Sequence, residues 1–253
     1  MRKNTPMIGR VGEAMVVAGR GAILPKKSEQ NRALVFSTLA FTVCFAVWTI
    51  FSIIGVQIKQ ELGLNDTEFG LLVGTPILTG SLIRLILGIW TDQYGGRLVY
   101  LAVMVSAAIA TWLLSLADSY ALFLVAALGV GIAGGSFAVG IAYVAKWYPL
   151  EKQGTALGIF GMGNVGAAVT KFLAPFVMVA YGWQTVAQVW SIGLLVMAAI
   201  FWFSTRDDPA LAERRRSGAK PEPIMAQLAP LRKLQVWRFS LYYFFVFGAF
   251  VAL

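Results

Sequence analysis

The chain has 253 residues, 58% hydrophobic and only 13% charged, with a formal net charge of +9 and a mean hydropathy of +0.72. A soluble domain carries about 25% charged residues, so this composition excludes a cytosolic enzyme, a secreted disulfide scaffold and a disordered chain. With no histidine and one cysteine, Cys44, imidazole chemistry, His metal ligation and an intrachain disulfide are excluded as well, and Cys44 reads as a small buried hydrophobe.

In chain order, residues 1–32 hold seven Lys/Arg without the apolar core of a signal peptide and read as a cytoplasmic tail. Ala33–Ile58 carries no charge and makes a first span; Phe69–Thr91, interrupted only by Arg84, makes a second. Leu98–Ala117 and Ser119–Ala145 follow as third and fourth. The long stretch Gln153–Thr205 holds a single charge, Lys171, and breaks at Tyr181, Gly182, Trp183 and Gln184 into a fifth and a sixth. Each is close to the roughly 20 residues that cross about 30 Å of hydrocarbon. With no water to pair them, the backbone groups of such segments must bond within the segment, so all are expected to be helices. Residues 33–205 therefore form an all-α unit of six transmembrane helices. Residues 206–238 are a charged linker containing Arg214, Arg215 and Arg216, and residues 239–253 begin a seventh apolar stretch. That stretch stops short of a polar flank, which reads as a truncated chain.

Orientation follows from the basic residues. The tail, the linker and the turns after spans two and four hold 18 of the 21 Lys/Arg; the opposite side has only Lys59, among Glu61, Asp66 and Glu68. The basic side is expected to be cytoplasmic. The positive charge thus reports topology, and no nucleic-acid partner is implied.

Two stretches match G-x-G-x-x-G: Gly129, Gly131, Gly134 and Gly161, Gly163, Gly166. A dinucleotide site needs that turn between a strand and a helix. Inside membrane spans the glycines read as places where helix backbones approach closely. That suits the fourth span and leaves Asn164, in the fifth, without a role.

Arg84 lies eight residues from Asp92, so about 12 Å from the cytoplasmic edge, and Asn164 lies about 18 Å from it, at 1.5 Å per residue. A charge at that depth costs at least about 2.5–3.5 kcal/mol, and no Asp or Glu within the spans is deep enough to neutralise Arg84. A guanidinium left so is suited to an oxyanion, because its N–H fork reaches two oxygens at once. Asn164 offers a neutral donor, and Gly163 lets a small ion approach the backbone. The ordinary alternatives are a carbonyl or distant acid partner for Arg84 and an interhelical hydrogen bond for Asn164. Lys171, seven residues after Asn164 on nearly the same face, is about 28 Å from the cytoplasmic edge and is read as an interfacial or entry-funnel residue able to snorkel outward.

The loop Gly88, Asp92, Gly95, Gly96, Arg97 resembles the G-x-x-x-D-x-x-G-[RK]-[RK] loop between the second and third helices of the major facilitator superfamily, with Gly96 replacing the first basic residue. There an Asp ending one helix and an Arg starting the next can bridge helix ends in one gating state and part in the other. The fifth span, Gly158 to Ala168 with Asn164 inside it, and the second span, from Gly74 through Pro76 and Gly80 to Arg84, resemble the nitrate/nitrite porter (NarK-type) family. The resemblance runs from about Val35 to Leu253. It implies the six-helix N-terminal half of a major facilitator fold, built of two three-helix repeats, plus the start of helix seven. It further implies transport of nitrate and/or nitrite across the bacterial inner membrane by alternating access, with Arg84 as the substrate arginine. Phe45 and Phe247 would bracket the flat anion, and Tyr243 would match the family's seventh-helix tyrosine. The transporter would be completed by a C-terminal six-helix half absent from this chain. No catalytic residue, cofactor or metal is implied; proton coupling against nitrate/nitrite exchange stays open. The alternatives are a facilitator for another small anion, such as an organic carboxylate, and a non-transporting membrane receptor or anchor.

Overall fold

The computed structural model describes residues 26–219 and 223–252, so most of the segment read as a tail lies outside the described residues. Among the described residues, six helices are long and apolar enough to cross a membrane: α1 Lys27–Leu62, α2 Asp66–Tyr94, α3 Gly96–Leu114, α4 Tyr120–Ala145, α5 Leu150–Tyr181 and α6 Trp183–Ser204. A short linker helix α7, Pro209–Ser217, follows, and α8 spans Leu234–Ala252. Thus α1 begins inside the segment read as tail and α8 inside the segment read as linker. The fifth and sixth helices part at the expected place, where Gly182 takes a left-handed φ of 84° that a side chain would strain.

Local chemistry explains the ends. Asn65 caps α2 by accepting from the Glu68 N–H at 2.9 Å, while the Glu68 carboxylate accepts from the Asn65 N–H at 2.9 Å. This reciprocal box satisfies two donors that the first turn would otherwise leave unpaired. Asp208 caps α7 through the Leu211 N–H at 2.9 Å, with Pro209 at the first helical position.

The packing has an internal symmetry. Helix α2 packs on α4 as α5 packs on α1, α3 packs on α4 as α6 packs on α1, and α3 faces α6. Exchanging the first three helices with the second three leaves this contact scheme unchanged, which is the arrangement of two three-helix repeats. Helices α1 and α4 are the most buried, whereas α2 and α5 turn Leu78, Leu82, Phe172 and Phe176 outward. Such faces suit lipid, in which an exposed Leu costs nothing.

Glycines set how closely the helices approach. A Cβ on Gly129 would lie 2.4 Å from the Ala110 Cβ, and one on Gly131 would lie 2.7 Å from the Pro76 carbonyl oxygen. One on Gly166 would lie 2.0 Å from the Thr42 carbonyl oxygen, so α5 and α1 touch backbone to backbone there. Each glycine run leads into a single 3₁₀ turn, Ile132–Gly135 in α4 and Met162–Val165 in α5. The packing expected for the fourth span therefore holds for the fifth as well, at Gly163 and Gly166, while Gly161 faces open space.

Beside Gly166 the same seam carries polar bonds. The buried Thr170 hydroxyl donates to the Ala46 carbonyl at 2.6 Å and accepts from the Trp190 Nε1–H at 2.8 Å, joining α5 to both α1 and α6. Thr170→Val keeps the shape but leaves a buried indole N–H unpaired, at a cost of about 1–3 kcal/mol. Thermal unfolding in detergent is expected to show a lowered Tm; an unchanged Tm would mean that this link carries no stability.

Candidate functional site

Arg84 projects from the middle of α2 toward α4. Its Nε donates to the Gly134 carbonyl at 3.2 Å, inside the 3₁₀ turn of α4. The guanidinium carbon lies 5.8 Å from the Trp48 ring, 5.7 Å from Phe137 and 5.4 Å from Phe247. The Tyr243 side chain of α8 is its electrostatic neighbour. No carboxylate lies within ion-pairing distance of it among the described residues. Four rings thus close around one cation: Trp48 from α1, Phe137 from α4, and Tyr243 and Phe247 from α8.

The rings are nearly parallel. Tyr243 and Phe247 have centroids 5.3 Å apart at 8°, Trp48 and Phe247 6.4 Å at 13°, and Phe137 and Tyr243 6.3 Å at 16°. A cation on an aromatic face gains about 0.5–2 kcal/mol, so these faces together offset an insertion cost of about 2.5–3.5 kcal/mol. They stabilise the charge without cancelling it. The field of Arg84 stays available to an anion.

Trp48 is held rather than merely packed. Its Nε1 donates to the Pro76 carbonyl at 2.9 Å, and it is 4% exposed. Gly80 and Gly134 make the space: a Cβ on either would come within 2.8 Å of the indole. Gly134, read from sequence as helix packing alone, therefore also seats a ring of the site.

The other expected site residues fall as follows. Phe45 is buried, edge-on to Phe41 at 5.5 Å and tilted on Trp48 at 5.2 Å; the ring facing Arg84 from α1 is Trp48, one turn further on. Tyr243 and Phe247 both reach Arg84. Gly163 abuts Phe41. Asn164 spends one N–H on the Gly161 carbonyl of its own helix at 2.8 Å, and its buried Oδ1 has no partner. The structure does not bring Asn164 into contact with Arg84. Trp48 and Phe137 are the neighbours that sequence reasoning missed, while the Gly134 carbonyl is the kind of partner named as the ordinary alternative for Arg84. Phe137 carries one available signal, since it stands two residues after the glycine run that brings α4 against α2.

At the linker end of the bundle, the Asp92–Arg97 bridge expected from the loop motif is not made. The Asp92 carboxylate pairs instead with Lys146 at the end of α4, at 2.9 Å. Arg97 turns to α6, donating to the Trp202 carbonyl at 2.6 Å with its guanidinium 3.9 Å from that ring. The reason is backbone geometry. Gly95, with φ 97°, breaks the α2–α3 connection sharply and sends the two side chains to different neighbours. Gly88 has nothing packed within 4 Å, whereas Gly95 lies under Leu211 of α7. Arg214 of the same short helix donates to the Asp92 and Gln93 carbonyls at 2.7 and 2.6 Å. A cation there satisfies the last carbonyls of α2 and its helix dipole. Linker and motif loop are one packed unit.

A six-helix bundle of two repeats with a mid-span cation between helices is the architecture of a facilitator-type membrane transporter. Residues 36–253 match the Major Facilitator Superfamily, and the chain belongs to that superfamily. Among its members it is 43% identical over 240 residues to a probable nitrate/nitrite antiporter, NarK1, of Thermus thermophilus, covering 90% of this chain and 53% of that protein. It is 33% identical to a nitrite extrusion protein of Bacillus subtilis (89% and 55% covered) and 31% identical to a probable nitrate transporter, NarT, of Staphylococcus aureus (86% and 53%). The chain spans about half the length of these curated relatives. In fold it is similar to a bacterial homolog of the human lysosomal transporter Spinster in an inward-facing, unoccupied state, with TM-score 0.65 at 21% identity, over 73% of this chain and 45% of that one.

Proposed function

We propose that this chain forms one six-helix half of a transporter that carries nitrate, nitrite or both across a bacterial inner membrane by alternating access. The observation that carries the reading is Arg84, a mid-span guanidinium with aromatic and carbonyl neighbours but no carboxylate. The names of the relatives supply the substrate class. In this reading Arg84 attracts the anion and presents two N–H groups to two of its oxygens. Tyr243 orients it, and Trp48 and Phe247 supply the parallel faces against which a planar ion lies.

Asn164, Gly163 and Phe45 belong one layer behind, supporting the seam between α5 and α1. The second half, supplied by further sequence, closes the site from the other side and holds the partner groups needed for neutral loading. The positive-inside excess supports a cytoplasmic side for the tail and the 206–238 linker. The Asp92–Lys146 pair, clamped by Arg214, acts there as the gating contact.

The test is uptake of labelled nitrate and nitrite into proteoliposomes containing the complete transporter. Saturable uptake of either ion, unaffected by organic carboxylates, is the expected result. Uptake of a carboxylate alone would move the site to another anion class. No uptake together with no anion binding would reduce the protein to a receptor or anchor.

A further inference from the structure

Trp48 also borders a cavity of about 160 Å3 between α1, α2 and α5, whose lining does not include Arg84. Phe45, Trp48, Thr49 and Ser52 line it from α1, Val73 and Ile77 from α2, and Ala167 and Lys171 from α5. Its volume is well above the roughly 10–15 Å3 that admits one water, so a small oxyanion fits with part of its hydration.

The charged residue of its lining, Lys171, is exposed and unpaired among the described residues. Lys171 has no carboxylate within ion-pairing distance among the described residues, unlike Lys59, which pairs with Asp66 at 2.6 Å. The neighbouring acids at that end are engaged: Glu61 accepts from Gln57 at 3.1 Å and from the Trp183 Nε1–H at 2.8 Å, and Glu68 closes the cap on Asn65. Asp118 stands in the α3–α4 turn at the same end. The Thr49 and Ser52 hydroxyls now donate to the Phe45 and Thr49 carbonyls of α1, at 3.1 and 2.7 Å. Both can rotate toward an anion while their helix keeps its backbone bonds.

We propose that this cavity is a second anion station, in which the Lys171 ammonium captures a small oxyanion, nitrate or nitrite on the transport reading above, before or after it occupies Arg84. Trp48 is the common wall: its ring borders the Lys171 cavity and also faces the Arg84 guanidinium. An anion therefore passes between the two cations by rounding one indole. An ammonium is a point charge with freely turning donors, whereas the guanidinium fork is directional. Capture at Lys171 is accordingly unselective among small anions, and discrimination falls to Arg84 and its rings.

Two measurements on the complete transporter decide this. Lys171→Gln is expected to raise the half-saturation concentration for nitrate about threefold or more, as loss of electrostatic concentration does. The maximal rate stays the same, and the dependence of the half-saturation on ionic strength weakens, leaving the part due to Arg84. Lys171→Arg, which keeps the charge, restores both. Bromide soaked into crystals is expected to give an anomalous peak at Lys171 that is lost in Lys171→Gln, while a peak at Arg84 remains. No bromide at Lys171, or an adventitious ion only, with half-saturation unchanged in Lys171→Gln, would overturn the station and return Lys171 to an interfacial anchor. Failure of the transport reading looks different: the unmodified protein would move no nitrate, whatever binds at Lys171.

Discussion

Arg84→Lys is expected to reduce nitrate uptake at least tenfold while leaving the amount of protein in the membrane unchanged. The substitution keeps the charge but removes the fork that reaches two oxygens, and it removes the flat cation that lies on Trp48, Phe137 and Phe247. A hydrogen bond to a charged group contributes about 1.5–3 kcal/mol, and loss of one corresponds to roughly 10–150-fold in affinity. The loss should therefore appear mainly as a raised half-saturation concentration. Arg84→Gln, which keeps donors but removes the charge, should remove uptake altogether. Unchanged uptake in Arg84→Lys would take Arg84 out of the site. Quantifying the protein by immunoblot after membrane fractionation separates a lost site from a lost fold.

Gly166→Ala is expected to destabilise the bundle more than a one-carbon change ordinarily does. The new Cβ would lie 2.0 Å from the Thr42 carbonyl oxygen and 2.8 Å from the Ala46 nitrogen. Both are backbone atoms of α1, so no side chain can turn aside and the two helices must separate. Overpacking in a tight core costs about 1–3 kcal/mol, and separation here also strains the Thr170 bond to the Ala46 carbonyl. Gly158→Ala in the same helix is the internal control, because nothing lies within 4 Å of its Cβ position. There alanine should be neutral or gain up to about 1 kcal/mol of helix propensity. Detergent melting curves should place the first variant clearly below the unmodified protein and the second at or above it. Equal curves for the two would mean that α5 and α1 do not meet at Gly166.

Much of this protein was legible as sequence because a bilayer is a simple solvent. Hydrocarbon admits few charges and requires backbone bonds to close within each segment, so the spacing of charges alone delimits six helices. The turn at Gly182 and the break at Gly95 followed in the same way, since glycine is the residue that takes a positive φ without strain. Arg84 stood out for the same reason: a charge where charges are expensive has to be explained by function or by a partner.

Which neighbours Arg84 has could not be read along the chain. Phe45 and Trp48 are both aromatic residues of one apolar helix, and a rotation of α1 decides which of them faces the cation. That rotation is fixed by Gly80 and Gly134, on two other helices, which leave room for the indole, and by the Pro76 carbonyl that accepts its N–H. The partner of Asp92 was undetermined in the same sense. Charge pattern offered Arg97, five residues away, but the sharp turn at Gly95 sends Arg97 to Trp202, and the end of α4 brings Lys146 instead. Charge spacing along the chain was enough for the number of membrane-length helices among the described residues, for where they turn and for which charge lies deep within them, because those depend on the cost of each residue in hydrocarbon. Which rings surround that charge and which cation holds the loop came from the packed fold alone, because they depend on helix rotation and on contacts 36 to 163 residues apart, from Trp48 to Arg84 and from Arg84 to Phe247.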